Sequence, residues 1–307
     1  MSASGGLPLE SGELFVLIAR LIADVDEVKT RYRAVSEELA LAGIKAGRLG
    51  FLELGEKVAQ ISAEGADRVA FREILERHFA APVGMIADHE IDLPNLFISD
   101  MDSTMIEQEC IDELADFAGL KEKVSAITER AMQGELDFED ALKERVSLLK
   151  GLPETAISEC LEQRISPMPG ARMLVQTLKS KGCQTVLVTG GFHHFADPVA
   201  EQLGFEHVVG NRLAVAGGKL TGEVEGPIVD SSTKLAVLRE EQAKISDCTV
   251  LASGDGANDI PMLEAANYGI AYKAKPKARA AASGWIDEGS LTSVLELLGI
   301  PESDWVQ

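Results

Sequence analysis

From Asn95 onward, short apolar runs rich in Val, Ile and Leu alternate with helical stretches, and three of these runs stop abruptly at a polar cluster. The runs cover residues 96–99, 185–188, 249–252 and 268–272. Such alternation predicts a mostly parallel sheet with helices on its faces, because parallel strands must be joined by crossovers and the crossovers cover the sheet. The polar clusters are Asp100-Met101-Asp102-Ser103-Thr104, Thr189-Gly190-Gly191 and Gly254-Asp255-Gly256-Ala257-Asn258-Asp259. In open α/β sheets the active site lies outside the carboxyl ends of the strands. The three clusters are far apart in sequence but are expected to meet in one crevice.

Between the first two runs lies an almost purely helical block over 110–163, divided by Gly119, Gly134 and Gly151-Leu152-Pro153. A helical excursion of this length after the first strand predicts a cap inserted at about 106–166. Residues 212–215 and 219–224, around Gly217-Gly218, read as a β-hairpin with a glycine turn. Residues 1–93 follow a different pattern. An apolar run at 14–18 precedes a helical periodicity over 24–41, a strand-like stretch with interruptions over 50–61, a second helix over 68–79 and a strand near 82–86. That order predicts a small α+β ferredoxin-like domain, with 88–94 as the linker. A larger α/β domain then occupies 94–307. No catalytic constellation is visible before residue 94, so removing that segment is expected to leave catalysis largely intact.

The clusters define a chemistry. In extended chain, residues two apart point to the same side, so Asp100 and Asp102 call for a cation near them. Asp255 adds a carboxylate from another strand. Oxygen ligation by few protein groups suits Mg²⁺, which keeps several waters and shares phosphate oxygens. A carboxylate can attack phosphorus, and a neighbouring carboxyl can protonate a leaving oxygen. Thr189 with Gly190-Gly191 offers a hydroxyl and close-approach amides for phosphate oxygens. Lys234 follows Asp230 and Ser231, either of which is suited to cap a helix; a cation there opposes the helix dipole, which hints at another role. The adjacent His193 and His194 are expected on a helix surface rather than on a metal.

Bulk properties exclude several function classes. The 307 residues suggest about two domains. Asp and Glu total 50 against 29 Lys and Arg, a formal charge of -21, so nucleic acid and anionic lipid are not expected partners. The N-terminal residues lack a basic stretch followed by an apolar core, and no apolar run is long enough to span a bilayer. Cys110, Cys160, Cys183 and Cys248 are scattered without CxxC spacing; buried free thiols in a reducing cytoplasm are the expectation.

In this order, DMDST, TGG, a lysine before a helix and GDGANDI resemble the haloacid dehalogenase-like phosphatases. EQECIDELA, ERAMQGELDFEDALKERVSLLKGLP, NRLAVAGGKLTGEVEGPIVD and SGDGANDIPMLEAA narrow the resemblance to the phosphoserine phosphatase family. The likeness runs from about residue 95 to 298. It implies a doubly wound, mostly parallel sheet with a helical cap, preceded by an ACT-like region that allows a homodimer. It implies hydrolysis of O-phospho-L-serine through an aspartyl-phosphate, the last step of L-serine biosynthesis. The alternative on the same scaffold is phosphate transfer to another alcohol such as homoserine. A signalling receiver also phosphorylates an aspartate at a strand end, but the second aspartate, the cap and GDGAND argue against it. Position by position, the resemblance implies Asp100 as nucleophile and magnesium ligand, Asp102 as acid/base and carbonyl ligand, and Asp255 as third ligand. Thr189, Gly190, Lys234 and Asn258 would hold the phosphate, and Asp259 would orient Lys234 or a metal-bound water. Glu109 and Arg145 would read the ammonium and carboxylate of serine. The family usually has serine where this chain has Thr189, which keeps the hydroxyl and adds a methyl.

Overall fold

The computed structural model describes residues 16–53, 57–132, 135 and 137–307. Leu14 in the first apolar run, the middle of the stretch at 50–61 and the Gly134 break lie outside the described residues.

The chain begins with β1 (Val16–Ile22), α1 (Val25–Leu41), β2 (Lys45–Glu53), β3 (Lys57–Glu64), α2 (Arg68–Phe79) and β4 (Val83–Ala87). Asp24 caps α1, its Oδ1 accepting the N–H groups of Asp26 and Glu27 at 3.0 and 2.9 Å. The strands lie in the order β2-β3-β1-β4, and β1 is antiparallel to both neighbours. This is the split βαβ arrangement of a ferredoxin-like unit. One local expectation needs correction: the interrupted strand foreseen over 50–61 is the end of β2 and the start of β3, which pair with each other.

β5 (Leu96–Ser99) opens the second pattern and leads into the cap helices α3 (Cys110–Phe117), α4 (Lys121–Met132), α5 (Phe138–Leu148) and α6 (Thr155–Arg164). The chain returns through α7 (Ala171–Ser180), β6 (Gln184–Phe192), α8 (His193–Leu203), β7 (His207–Ala216) and β8 (Lys219–Glu225). It closes with α9 (Ser231–Gln242), β9 (Val250–Gly254), α10 (Ile260–Ala265), β10 (Tyr268–Tyr272), α11 (Pro276–Ala281), β11 (Gly284–Ile286) and α12 (Ser293–Leu298). Strands β11, β10, β9, β5, β6 and β7 run parallel in that spatial order. The end of β7 turns back antiparallel with β8, forming the expected hairpin. His193 and His194 are both half-buried rather than surface residues: His193 Nδ1 lies 2.7 Å from Asp197, and His194 Nδ1 is buried without a hydrogen-bond partner.

The two patterns share one sheet. β4 pairs antiparallel with β11, aligning Gly84 with Trp285. Trp285 is fully buried among the apolar side chains of the N-terminal unit, and its indole N–H donates to Ala81 O at 3.0 Å. A Cβ on Gly84 would lie 2.5 Å from the Trp285 ring, so only glycine admits the indole there. The remaining core splits into two clusters, one holding the apolar faces of α3, α7 and α8, the other Leu96, Ile98, Val186, Val188 and the residues facing α9 and α10. Three of the cysteines are buried and Cys248 is half-buried; all are free. No helix among the described residues is long and apolar enough to cross a membrane.

Candidate active site

β5 lies between β9 and β6, so the chain leaving it emerges at the middle of the parallel sheet. There the carbonyl of Met101 accepts the N–H groups of Thr104, Met105 and Ile106 at 3.2, 2.8 and 3.1 Å. This tight coil, with Ser103 at φ +56°, separates Asp100 from Asp102 and sends the chain into the cap. The neighbouring strands bring Thr189 to one side and Asp255 to the other.

The carboxylates of Asp100, Asp255 and Asp259 are all buried, and each offers an oxygen within 4.8 Å of the others. The side chain of Asp102 is not part of that group. Lys234, almost fully buried, lies beneath, with Nζ 2.7 Å from both Asp100 Oδ1 and Asp259 Oδ1. Its position one turn into α9 is stabilised by Asp230, whose side chain accepts the Thr233 N–H at 2.8 Å and so caps the helix. The other oxygen of Asp259 accepts the N–H groups of Asp255 and Gly256 at 3.1 and 3.0 Å. This fold-back leaves no room at Gly254, where a Cβ would lie 2.5 Å from the Asp259 carboxylate.

The electrostatics follow from burial. Burial and the charge of Asp259 push the Asp100 carboxyl well above the usual carboxylate range, with Lys234 opposing. For Lys234 burial works against the ammonium, but Asp100 and Asp259 hold its pKa above the ordinary value. Asp102 is pushed up to about 7, first by burial and then by Glu109, while its bond from the Cys110 N–H acts the other way. That N–H donates to Asp102 Oδ1 at 3.2 Å from the first residue of α3. Burial likewise raises Asp255, against the pull of Lys275. The set fits a divalent cation: the buried Asp100 and Asp255 carboxylates converge, while both oxygens of the third carboxylate, Asp259, are taken by Lys234 and by the Asp255 and Gly256 N–H groups.

Above these groups opens a cleft of about 670 Å³ between sheet and cap. Asp100, Asp102, Thr189, Gly190, Asp255 and Asn258 line it from the sheet side, and Glu109 and Arg145 from the cap side. Lys234 and Asp259 lie below its floor. Thr189 Oγ1 accepts the Gly191 N–H at 2.8 Å. A Cβ on Gly191 would come within 2.9 Å of Asp102 Oδ2, so a larger residue there would press on the Asp102 carboxyl. Glu109 accepts from Ser103 Oγ at 2.9 Å, and burial raises its pKa against that bond. Burial lowers the Arg145 pKa, with Asp112 and Glu109 opposing.

Among the lining residues that escaped the sequence reasoning, two bear on the chemistry. Phe138, exposed at the start of α5, faces Gly190 across the cleft. Lys275 places Nζ 3.2 Å from Asp255 Oδ2. Its signal was present, since a lysine just ahead of Pro276 at a helix start opposes the helix dipole as Lys234 does.

A parallel sheet with a carboxylate at its central strand end and a helical cap over it defines a class, and comparison with known proteins assigns it. The haloacid dehalogenase-like hydrolase family matches residues 97–264, and the chain belongs to that family. Its similarity to a phosphoserine phosphatase from Lactococcus lactis is 45% identity over 205 residues, covering 66% of this chain and 94% of that protein. A solved phospho-aspartyl intermediate analogue of phosphoserine phosphatase superposes with a TM-score of 0.61 and 40% identity, over 66% of this chain and 98% of its own. A HAD family hydrolase from Salmonella enterica serovar Typhi superposes with a TM-score of 0.76 at 27% identity, over 92% of this chain and 98% of its own.

Proposed function

We propose that the chain is a Mg²⁺-dependent phosphatase that hydrolyses O-phospho-L-serine to L-serine and phosphate, with Asp100 as the nucleophile. The observation that carries this reading is the convergence of Asp100, Asp102, Asp255 and Lys234 at adjacent strand ends beneath a cleft whose cap side offers one anion and one cation. The relatives named phosphoserine phosphatase support the substrate.

In the first step Asp100 Oδ attacks phosphorus and the bond from phosphorus to the serine oxygen breaks. The protonated Asp102 gives its proton to that oxygen. In the second step a water oxygen attacks the aspartyl-phosphate while the Asp102 carboxylate takes its proton. The bond to Asp100 breaks, phosphate leaves and the carboxylate is restored. A carboxyl titrating near 7 is suited to both roles. Thr189, the Gly190 amide and Asn258 hold phosphate oxygens, Lys234 neutralises them, and Asp259 fixes Lys234. Asp100, Asp255 and the Asp102 carbonyl are the ligands we assign to Mg²⁺, which when bound supplies positive charge against the carboxylates and the phosphate oxygens. Glu109 pairs with the substrate ammonium, and the Arg145 fork pairs with its carboxylate.

The working boundary in this reading falls between residues 93 and 94, since every group just named follows it. The four free thiols support a reducing cytoplasm as its location. β2 is the outer strand of the N-terminal sheet edge, the surface we assign to a homodimer; sedimentation tests it.

The deciding experiment is phosphate release from phosphoserine, phosphoethanolamine and 3-phosphoglycerate, each with Mg²⁺ and after EDTA. Phosphoserine should be hydrolysed best, and EDTA should abolish turnover. Equal rates on all three, or full activity in metal-free buffer, would contradict the reading.

A further inference from the structure

Among the described residues, Lys275 is the cation of this cleft that the mechanism leaves without a task. Lys234 is locked between two buried carboxylates, and Arg145 sits on the cap. Lys275 stands at the rim with 61% of its side chain exposed. Its backbone N–H donates to Asp255 O at 2.8 Å, which fixes the root of the side chain. Its ammonium reaches back to the same residue, 3.2 Å from Asp255 Oδ2. A lysine carries a compact charge on a flexible four-carbon stem. The root is held and the head is free to move.

The position is unfavourable for a cation on local grounds, because Lys275 caps the start of α11 next to Pro276. What favours it is the cleft. Asp255 lies against the ammonium, and the charges of Glu109 and Asp259 also act on it. Without other cations, these carboxylates would face one another in a chain of net charge -21.

Building on the divalent-cation site of the proposed function, we propose that Lys275 is the resident counter-cation of the cleft, and that a divalent ion binding Asp255 displaces its ammonium. Both cations draw on the one Asp255 carboxylate and repel each other across it, so the lysine competes with the metal. The ammonium neutralises the carboxylate until the ion arrives and then swings clear on its stem. Removing the charge should therefore tighten metal binding. If the lysine merely propped Asp255 in its ligating position, removal would weaken binding. The two accounts differ in sign.

The experiment is calorimetric titration of Mg²⁺ into the full-length protein without substrate, for wild type, Lys275→Met and Lys275→Arg. An exposed ion pair is worth about 0.2–1 kcal/mol, so Kd for Lys275→Met should fall roughly 1.5–5-fold, and Lys275→Arg should stay near wild type. Unchanged or weaker binding by Lys275→Met overturns the proposal. Should that variant fail to fold, Lys275→Gln, neutral and of similar reach, reads the same competition. Wild type that binds no Mg²⁺ at all would instead overturn the divalent-cation reading, and the proposal with it.

Discussion

The two halves of the sheet differ in strand direction, and that difference decides where chemistry can gather. In the N-terminal half β1 runs against both β3 and β4, so neighbouring strands end on opposite edges. Polar loop residues there are scattered over two edges. In the C-terminal half β9, β5 and β6 run parallel, and neighbouring strands lie about 4.8 Å apart. Asp255, Asp100 and Thr189 consequently emerge side by side, although 155 positions separate the first two in sequence. The charged groups of the N-terminal half do another job. Arg72 donates to the carbonyls of Arg279 and Ala282 at 2.9 and 2.6 Å, and its guanidinium lies 4.8 Å from the Trp285 ring centre. They join the two halves.

If chemistry belongs to the parallel half alone, substitutions there should change turnover and those at the joint should change stability. Asp100→Asn should cost the most, at least about 10⁴-fold in kcat with the fold retained; steady-state assay beside circular dichroism checks it. Asp102→Asn should slow both steps by about 10²–10⁴-fold. Asp102 is protonated below and ionised above about pH 7. In wild type, phosphorylation of Asp100 should therefore slow as pH rises through that value, and hydrolysis of the phosphoenzyme should slow as pH falls through it. Rapid quench across pH resolves the two limbs, and both should vanish in Asp102→Asn. Arg145→Ala should lose roughly 10–150-fold in kcat/KM on phosphoserine and much less on phosphoethanolamine, which lacks the carboxylate. Equal losses on both would assign Arg145 to the phosphate or the fold. Trp285→Ala should leave kcat/KM within about twofold while removing roughly 3–5 kcal/mol of stability, measured by urea titration. A parallel loss of activity would break the separation of the halves.

Much of this was readable along the chain because it is local. Apolar runs ending in DMDST and GDGAND announce β5 and β9 with their carboxylates, and Gly119 and Gly151 fall between cap helices. The joint was not readable. β11 spans only three residues, and its pairing with β4 links segments about 200 positions apart, which no local periodicity encodes. The expectation that removing residues before 94 leaves catalysis largely intact did not include this joint. A chain starting there exposes Trp285 and the edge of β11. Lys275 was overlooked because its partner Asp255 becomes its neighbour only through the fold.

The most direct test is to trap the intermediate. The enzyme is mixed with phosphoserine labelled in its phosphate, quenched in acid within milliseconds and digested, and the labelled peptide is mapped. Label on Asp100 in wild type, absent from Asp100→Asn, is the predicted result. Label on any other residue, or turnover by Asp100→Asn at the wild-type rate, would contradict the account.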